Sequence, residues 1–267
     1  MAVYGSWEHL RVEQVAEHVA LVVLDQPERR NAMSGPMTAA WGRAMAALRE
    51  ERDLRCVVVT GAGESFCSGG DFSWIVGEPG AGVDRLRDRM QAFYATWLSV
   101  RDLEVPTVAA VNGHAVGAGL AVALACDLRV VAEDARLSVP FTSLGLHPGM
   151  GTTWLLPEVA GPAVARDMLL AGRVVTGSEA VALGIAGRAV ARGEVLDEAV
   201  AIAVRVAAAA PVATRLTKAA LAGGGPPDLA AALRWEALAQ PVTMTTEDLA
   251  EGIAAARERR APRFTGR

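Results

Sequence analysis

The chain has 267 residues, of which 52% are hydrophobic and 21% charged, and its formal net charge is −4. This length allows one large domain or a domain with an extension, and the composition is that of a globular protein. No block of like charge occurs in the sequence, so nothing favours a nucleic-acid partner.

The cysteines and the N-terminal residues indicate the cellular compartment of the protein. Cys56, Cys67 and Cys126 lie far apart and have no Cys-x-x-Cys spacing. We interpret them as reduced thiols, which are typical of a cytoplasm. The N-terminus lacks the basic-then-apolar pattern of a secretion signal, and no long uncharged apolar run predicts a membrane span. We therefore expect a cytoplasmic protein without a membrane partner.

The first half of the chain alternates short apolar runs, helical patterns and glycine-rich loops. Ser34 is a suitable cap for the first predicted helix, and Pro36 suits its first turn. The predicted strands are residues 7–15, 18–24, 55–60, 107–111 and 128–132, and the predicted helices are residues 36–52 and 84–100. This repetition predicts an α/β fold built of βα or ββα turns.

The glycine-rich stretch at residues 112–127 follows one apolar run and leads into a helix that opens near Gly117. Gly113, Gly117 and Gly119 have no Cβ, so the backbone can bend sharply and a ligand can approach it closely. The first N–H groups of a helix lack intrahelical partners and favour negative charge. We therefore expect an anion site, either for a phosphate or for an oxyanion that develops during a reaction.

Helical patterns dominate the second half of the chain. The predicted helices are residues 163–171, 177–184 and 195–210, and further helices follow residue 211 with a break at residues 223–227. The helix at residues 195–210 is rich in alanine and has few bulky side chains. Such faces bury against other helices, and we hypothesise that another subunit contributes some of them.

Several familiar motifs are missing from the sequence. The glycine-rich loops at residues 61–63 and 117–119 lack the third glycine of a dinucleotide fingerprint, and the sequence has no Walker A motif. The Gly-x-Ser-x-Gly elbow of serine hydrolases is also missing. Only four histidines occur, and none has the spacing of metal ligands. We expect no metal ion.

Five segments together resemble one family. Residues 66–72 (FCSGGDF) are similar to the first loop signature of the crotonase superfamily, the enoyl-CoA hydratases and isomerases. Residues 112–119, with Cys126-Asp127, resemble the second signature of this family, and residues 144–151 resemble the third. Further landmarks match residues 30–33 and 251–264. The resemblance covers nearly the whole chain in the right order.

The resemblance implies a fold and an assembly. The expected fold is an α/β, crotonase-like spiral of ββα turns with a C-terminal helical trimerisation region. Residues 1–195 are predicted to form the core with the acyl-CoA site, and residues 196–267 the helical region. The implied ligand is an acyl-CoA thioester, with coenzyme A as part of the substrate and no separate cofactor. The implied assembly is a homotrimer or a dimer of trimers.

The resemblance also assigns roles to single residues. The backbone N–H groups of Gly70 and Ala118 are expected to form an oxyanion hole for the thioester enolate. The residues expected beside coenzyme A are Ala32, Ser68 and Phe72, with Phe264 near the coenzyme A site of a neighbouring subunit. Asp71 is expected at the same site, where it hydrogen-bonds the loop behind Gly70.

The sequence departs from the hydratase pattern at both glutamate positions. Hydratases of this family use two glutamates to activate the added water, and those positions are Ala121 and Phe141 here. Neither side chain can exchange a proton, which argues against standard hydration. The expected chemistry is isomerisation, decarboxylation or thioester cleavage, and the alternative is an acyl-CoA-binding protein that has lost catalysis. Phe141 and Trp154 are interpreted as walls of the acyl pocket or as ordinary core.

Four further titratable side chains are candidates for either a chemical or a structural role. His147 lies in the third loop, where it could act as a base, although a turn-stabilising role is the alternative. His114 and Asp127 are interpreted as structural residues. Cys67 is an improbable nucleophile, because no histidine in its motif pairs with it and buried thiols are usually inert.

Overall fold

The computed structural model describes residues 3–71 and 80–267. The strands are β1 (Val3–Trp7), β2 (Leu10–Ala16), β3 (Val19–Leu24), β4 (Cys56–Gly61), β5 (Ser65–Cys67), β6 (Thr107–Val111), β7 (His114–Val116), β8 (Leu128–Ala132), β9 (Arg136–Ser138), β10 (Val175–Thr176) and β11 (Arg188–Val190). The helices are α1 (Gly35–Glu50), α2 (Val83–Leu98), α3 (Ala118–Ala125), α4 (Thr152–Leu170), α5 (Gly177–Ala182), α6 (Val195–Ala207), α7 (Pro211–Leu221), α8 (Leu229–Met244) and α9 (Glu247–Glu258).

The strands form two sheets that the chain visits in turn. The larger sheet has the order β1-β2-β3-β4-β6-β8-β11, and the smaller sheet has the order β10-β9-β7-β5. The pairs β4–β5, β6–β7 and β8–β9 each place one strand in either sheet, and α2, α3 and α4 follow them in the chain. This repetition confirms the predicted α/β fold of ββα turns.

The core lies between the larger sheet and the helices packed on it. Every residue of β3, β4 and β6 is buried, as their continuous apolar runs predict for parallel strands covered on both faces. All eight residues of α3 are buried as well, which explains why this helix is apolar all round. None of the helices in the described part of the chain is long and apolar enough to cross a membrane.

Three local predictions need correction. The single strand predicted at residues 7–15 is divided into β1 and β2 by a turn in which His9 has a φ of 63°. The strand β7 was missed, because three residues next to glycines carry little periodicity. The helix α4 begins well before residue 163 and is kinked at Gly161, which has a φ of 77°. Residues with a left-handed backbone conformation end or kink an element, and the hydrophobic pattern of the sequence does not reveal them.

The C-terminal region begins with a helix that belongs to the core. The predicted boundary at residues 195/196 falls at the start of α6, which packs across β4, β6 and β8. Its residues Ala199, Ala203 and Ala207 are buried at a spacing of four, so the sheet covers the alanine-rich face within the same chain.

The helix α7 is tied to the core by an ion pair. Lys218 Nζ lies 2.9 Å from Asp127 Oδ2 and donates to the carbonyl oxygen of Val105 at 2.8 Å. Asp127 also accepts from the backbone N–H of Thr107 at 2.7 Å. Asp127 therefore has the structural role expected from the sequence.

Candidate functional site

Two backbone segments run side by side at the candidate site. The segment that precedes α1 lies along the loop that follows β5. The N–H of Ser68 donates to the carbonyl oxygen of Arg30 at 3.0 Å, and the N–H of Met33 donates to that of Gly69 at 2.8 Å. These bonds place Ala32 beside Ser68 and Gly70, and all three are half-buried. The structure thus brings together two sequence-predicted substrate residues and one predicted oxyanion donor.

Asn31 fixes the position of both segments. Its side chain is fully buried, and its backbone adopts a φ of 54°, a conformation that asparagine tolerates better than most residues. Its Oδ1 accepts from the backbone N–H of Gln26 at 2.9 Å. Its Nδ2 donates to the carbonyl oxygens of Ala62 and Ser65 at 2.9 and 2.8 Å. Sequence reasoning recorded Asn31 only as a family landmark, although a short amide within a polar turn signals this anchoring role.

The glycine-rich turn before α3 packs against the loop after β5 through backbone atoms. A Cβ on Gly69 would lie 2.7 Å from the carbonyl oxygen of Val116 and 3.4 Å from the backbone nitrogen of Ala118. A Cβ on Gly119 would lie 2.8 Å from Cβ of Cys67 and would collide with its carbonyl oxygen. Side chains at either glycine would therefore push the two segments apart.

The turn leaves two N–H groups available. Gly117 has a φ of 55° and precedes α3, so Ala118 is the first residue of that helix. Within residues 3–71 and 80–267, the structure gives neither the N–H of Ala118 nor that of Gly70 a hydrogen-bond acceptor. Backbone donors fixed in this way can stabilise a negative charge that develops on a nearby oxygen.

An apolar side chain covers the glycine turn before α3. Ala121 is fully buried in α3, two residues after Gly119. The ring of Phe141 lies 3.6 Å from the position that a Cβ on Gly117 would take, so it covers the glycine turn. An apolar lining excludes water and strengthens electrostatic interactions within it.

Asp71 is engaged with an arginine. Its side chain is buried, and its Oδ2 lies 2.7 Å from Nη2 of Arg29, which belongs to the segment before α1. The pair links the two segments beside Gly70. This contact agrees with the predicted loop-holding role, while contact between Asp71 and a substrate stays a prediction.

The histidines near the loops have different surroundings. His147 is exposed, and its Nδ1 lies 2.8 Å from the carbonyl oxygen of Pro148. His114 accepts a hydrogen bond from the backbone N–H of Arg136 through Nδ1 at 3.0 Å, which is a structural role. A contact of His147 with a substrate therefore stays a prediction.

Cys67 is a structural thiol. It is fully buried, and burial raises its pKa to about 12. Its Sγ donates to the carbonyl oxygen of Asn31 at 3.0 Å and accepts from the N–H of Gly69 at 3.4 Å. Because the thiolate is the nucleophilic form, this environment keeps the group unreactive.

The other predicted site residues are more scattered. Trp154 is 48% exposed, and the centroid of its ring lies 4.9 Å from the guanidinium carbon of Arg101. The ring of Phe264 packs beside Gly252 in α9, 3.5 Å from the position of a Cβ there. Phe72 lies outside the described residues. The roles predicted for these three side chains stay predictions.

One side chain that sequence reasoning missed reaches the third loop from α2. The hydroxyl oxygen of Tyr94 lies 2.5 Å from the position that a Cβ on Gly149 would occupy. A Cβ at position 149 would therefore force this hydroxyl to shift. The sequence gives little sign of the contact, because the two residues belong to elements that are far apart in the chain.

Comparison with known proteins identifies close relatives along the whole chain. A family model for enoyl-CoA hydratase/isomerase matches residues 14–267. A protein of Mycobacterium tuberculosis named "Probable enoyl-CoA hydratase" is 40% identical over 256 residues, which cover 92% of this chain and 96% of the relative. The mitochondrial enoyl-CoA hydratase domain-containing protein 2 of Bos taurus is 37% identical over 257 residues, covering 93% of this chain and 84% of that protein.

A solved structure agrees with these sequence matches. The crystal structure of an enoyl-CoA hydratase from Bacillus anthracis has a TM-score of 0.91 to this chain at 31% identity. The similarity covers 97% of this chain and 100% of that one. The fold similarity therefore extends over the C-terminal helices as well as the two sheets.

The contact between Gly119 and Cys67 predicts a specific cost of adding one methyl group. We expect Gly119→Ala to lower the free energy of unfolding by about 1–3 kcal/mol, because the new Cβ overpacks against backbone. The control is Gly35→Ala in the first turn of α1, where a Cβ would meet no atom within 4 Å and stability should be unchanged or rise by up to ~1 kcal/mol. Urea unfolding measures both, and equal effects would contradict the proposed close packing.

Proposed function

Because the chain belongs to the enoyl-CoA hydratase/isomerase family, we propose that it binds an acyl-CoA thioester and stabilises the enolate of the acyl group. The two N–H groups of Gly70 and Ala118 hold the thioester oxygen in this proposal. The observation that carries it is that both donors lack acceptors in the described chain while their backbone segments are in contact.

The energetic argument for the two donors is direct. An enolate of a thioester carries its negative charge largely on one oxygen, and fixed donors stabilise that charge without reorganising. Removing one such donor from an enzyme raises the barrier by about 3 kcal/mol. In this proposal the apolar side chains of Ala121 and Phe141 exclude water, so that the donors act in a medium of low dielectric constant.

The same two side chains argue against hydration through glutamates. The relatives carry hydratase names, but this chain has an alanine and a phenylalanine where that mechanism needs carboxylates. We propose isomerisation, decarboxylation or thioester cleavage as the chemistry. Each uses an oxyanion without requiring two carboxylates to position a nucleophilic water. In this proposal the coenzyme A portion leaves the site past Ala32 and Ser68, which are half-buried beside Gly70.

Removing one backbone donor tests the proposed oxyanion site. Ala118 is the first residue of α3, where the N–H makes no intrahelical hydrogen bond, so proline removes this donor without breaking the bonds of the helix. Acetoacetyl-CoA serves as the probe, because its delocalised enolate absorbs in the near ultraviolet. We expect wild-type protein to raise this absorbance on binding, and Ala118→Pro to weaken that enolate binding by at least about 10²-fold, because the N–H is lost and the proline Cδ takes its place.

The matched control is Glu247→Pro at the first position of α9. This residue is exposed, and its preceding residue is extended, as proline requires. Circular dichroism checks that both variants fold. Unchanged acetoacetyl-CoA binding by a folded Ala118→Pro variant would show that the N–H of Ala118 does not hold the thioester oxygen.

Hydration of crotonyl-CoA is expected to be negligible. General acid–base groups typically contribute ~10²–10⁴-fold each, and neither Ala121 nor Phe141 can supply one. A spectrophotometric assay that follows loss of the conjugated double bond measures the rate, with a hydratase that carries both glutamates as the positive control. Rapid hydration by the unmodified protein would assign the water-activating role to another group, with His147 as the first to be tested.

The C-terminal helices predict a homo-oligomer. Every residue of α7 and α8 is exposed or only partly covered, and Leu238 in α8 is 72% exposed. Such exposed apolar faces mark interaction sites. We expect a homotrimer or a dimer of trimers by light scattering at micromolar concentration. Leu238→Glu should shift the mass towards the monomer, whereas Glu236→Gln on the same helix should not, and a monomeric wild type would refute the assembly.

A further inference from the structure

Arg192 binds two of the corners at which the chain passes from the larger sheet to the smaller one. It lies between β11 and α6 and is partly exposed. Its Nη1 donates to the carbonyl oxygen of Glu64 at 2.6 Å, in the corner between β4 and β5. Its Nη2 donates to Oδ2 of Asp134 at 2.7 Å, in the corner between β8 and β9. One guanidinium thus joins these two corners.

The corner between β6 and β7 packs into the same contact. A Cβ on Gly113 would collide with the carbonyl oxygen of Glu64 and would lie 2.8 Å from Nη1 of Arg192. Asn112 joins this corner to that of β4 and β5, because its Nδ2 donates to the carbonyl oxygen of Gly63 at 2.8 Å. The corners of β4–β5, β6–β7 and β8–β9 therefore meet at Arg192.

The strands that start at these corners are short and lead to the candidate site. β5, β7 and β9 have three residues each and pair in parallel, so each spans about 10 Å. They are followed by the loop with Gly70, the turn before Ala118 and the loop with Phe141. The N–H of Gly117 donates to the carbonyl oxygen of Ser138 at 2.8 Å, which links the turn to β9. A shift of one corner would therefore move one loop of the site relative to the others.

A guanidinium suits this position because its donors point in fixed directions. Its planar fork can donate to a carbonyl oxygen and to a carboxylate at the same time. The hydrogen bond from Arg192 holds the pKa of the Asp134 carboxyl below its ordinary value, so this carboxyl is ionised at neutral pH. Hydrogen bonds from a charged donor are stronger than those between neutral groups. Arg192 therefore makes one charge-assisted hydrogen bond to each of two corners.

Resting on the proposed enolate stabilisation, we propose that Arg192 is a positioning residue that fixes the distance between the N–H groups of Gly70 and Ala118. It sets the relative positions of β5 and β7 at the corners where they begin, and the strands carry those positions to the two donors. An oxyanion is stabilised best when both donors reach it at once. Because Arg192 does not touch the thioester in this proposal, its loss should reduce enolate stabilisation more than ligand binding as such.

The test compares two thioesters of equal acyl length, acetoacetyl-CoA and butyryl-CoA. The first binds as an enolate in the proposed function, whereas the second presents a neutral carbonyl oxygen, which gains less from fixed donors. Arg192→Met removes the donors and keeps an unbranched side chain. We expect binding of the acetoacetyl-CoA enolate to weaken by about tenfold, less than for loss of a whole donor, and binding of butyryl-CoA by less than about twofold. Near-ultraviolet absorbance measures the first affinity, and titration calorimetry measures the second.

The matched control is Arg188→Met, which removes an exposed arginine of β11 that pairs with Glu198 of α6. This variant should keep both wild-type affinities. Arg192→Lys keeps the charge beside Asp134 but loses the planar fork, so its enolate binding should lie between those of the wild type and Arg192→Met. Circular dichroism checks that each variant is folded.

A folded Arg192→Met variant with wild-type enolate binding would overturn the positioning role. Equal weakening for the two thioesters would also overturn it, because a general structural role has that result. If Arg192→Met does not fold, Arg192→Lys gives the same comparison between the two ligands. Wild-type protein that does not bind acetoacetyl-CoA as its enolate would instead refute the proposed function.

Discussion

The candidate site depends on direct backbone contact between the loop after β5 and the start of α3. Gly69 and Gly119 permit this contact, because any side chain there would strike a carbonyl oxygen of the opposite segment. Asn31 holds the segment before α1 against the residues around β5, because its amide oxygen accepts one hydrogen bond and its amide nitrogen donates two. The positions of the N–H groups of Gly70 and Ala118 are thus set by backbone packing.

This arrangement allows the proposed chemistry within the shared fold. The two positions at which the family resemblance predicts glutamates are Ala121 and Phe141, while the segments that carry Gly70 and Ala118 pack directly against each other. In the proposed function these two side chains supply no water-activating group and make the surroundings of the donors more apolar. A site of this kind suits reactions in which charge is lost from a compact group and spread over a larger one.

The sequence predicts those features that depend on local residues. Continuous apolar runs identify β4 and β6, and the hydroxyl of Ser34 accepts from the N–H of Met37 as a helix cap. The loop motifs lie on two segments that the structure brings into contact, and the donor roles of Gly70 and Ala118 stay predictions. Contacts between distant parts of the chain are not visible in this way. The approach of Tyr94 to Gly149 depends on how α2 packs, which no periodicity reveals.

The ion pair that ties α7 to the core has a practical consequence, because Lys218 is the only lysine in the sequence. Its side chain is only 12% exposed and is held by Asp127. Reagents that modify side-chain amines therefore meet a shielded target in the folded chain. Their reaction rate at this one position reports how often the C-terminal helices separate from the sheet, which gives a chemical readout of local opening without an added label.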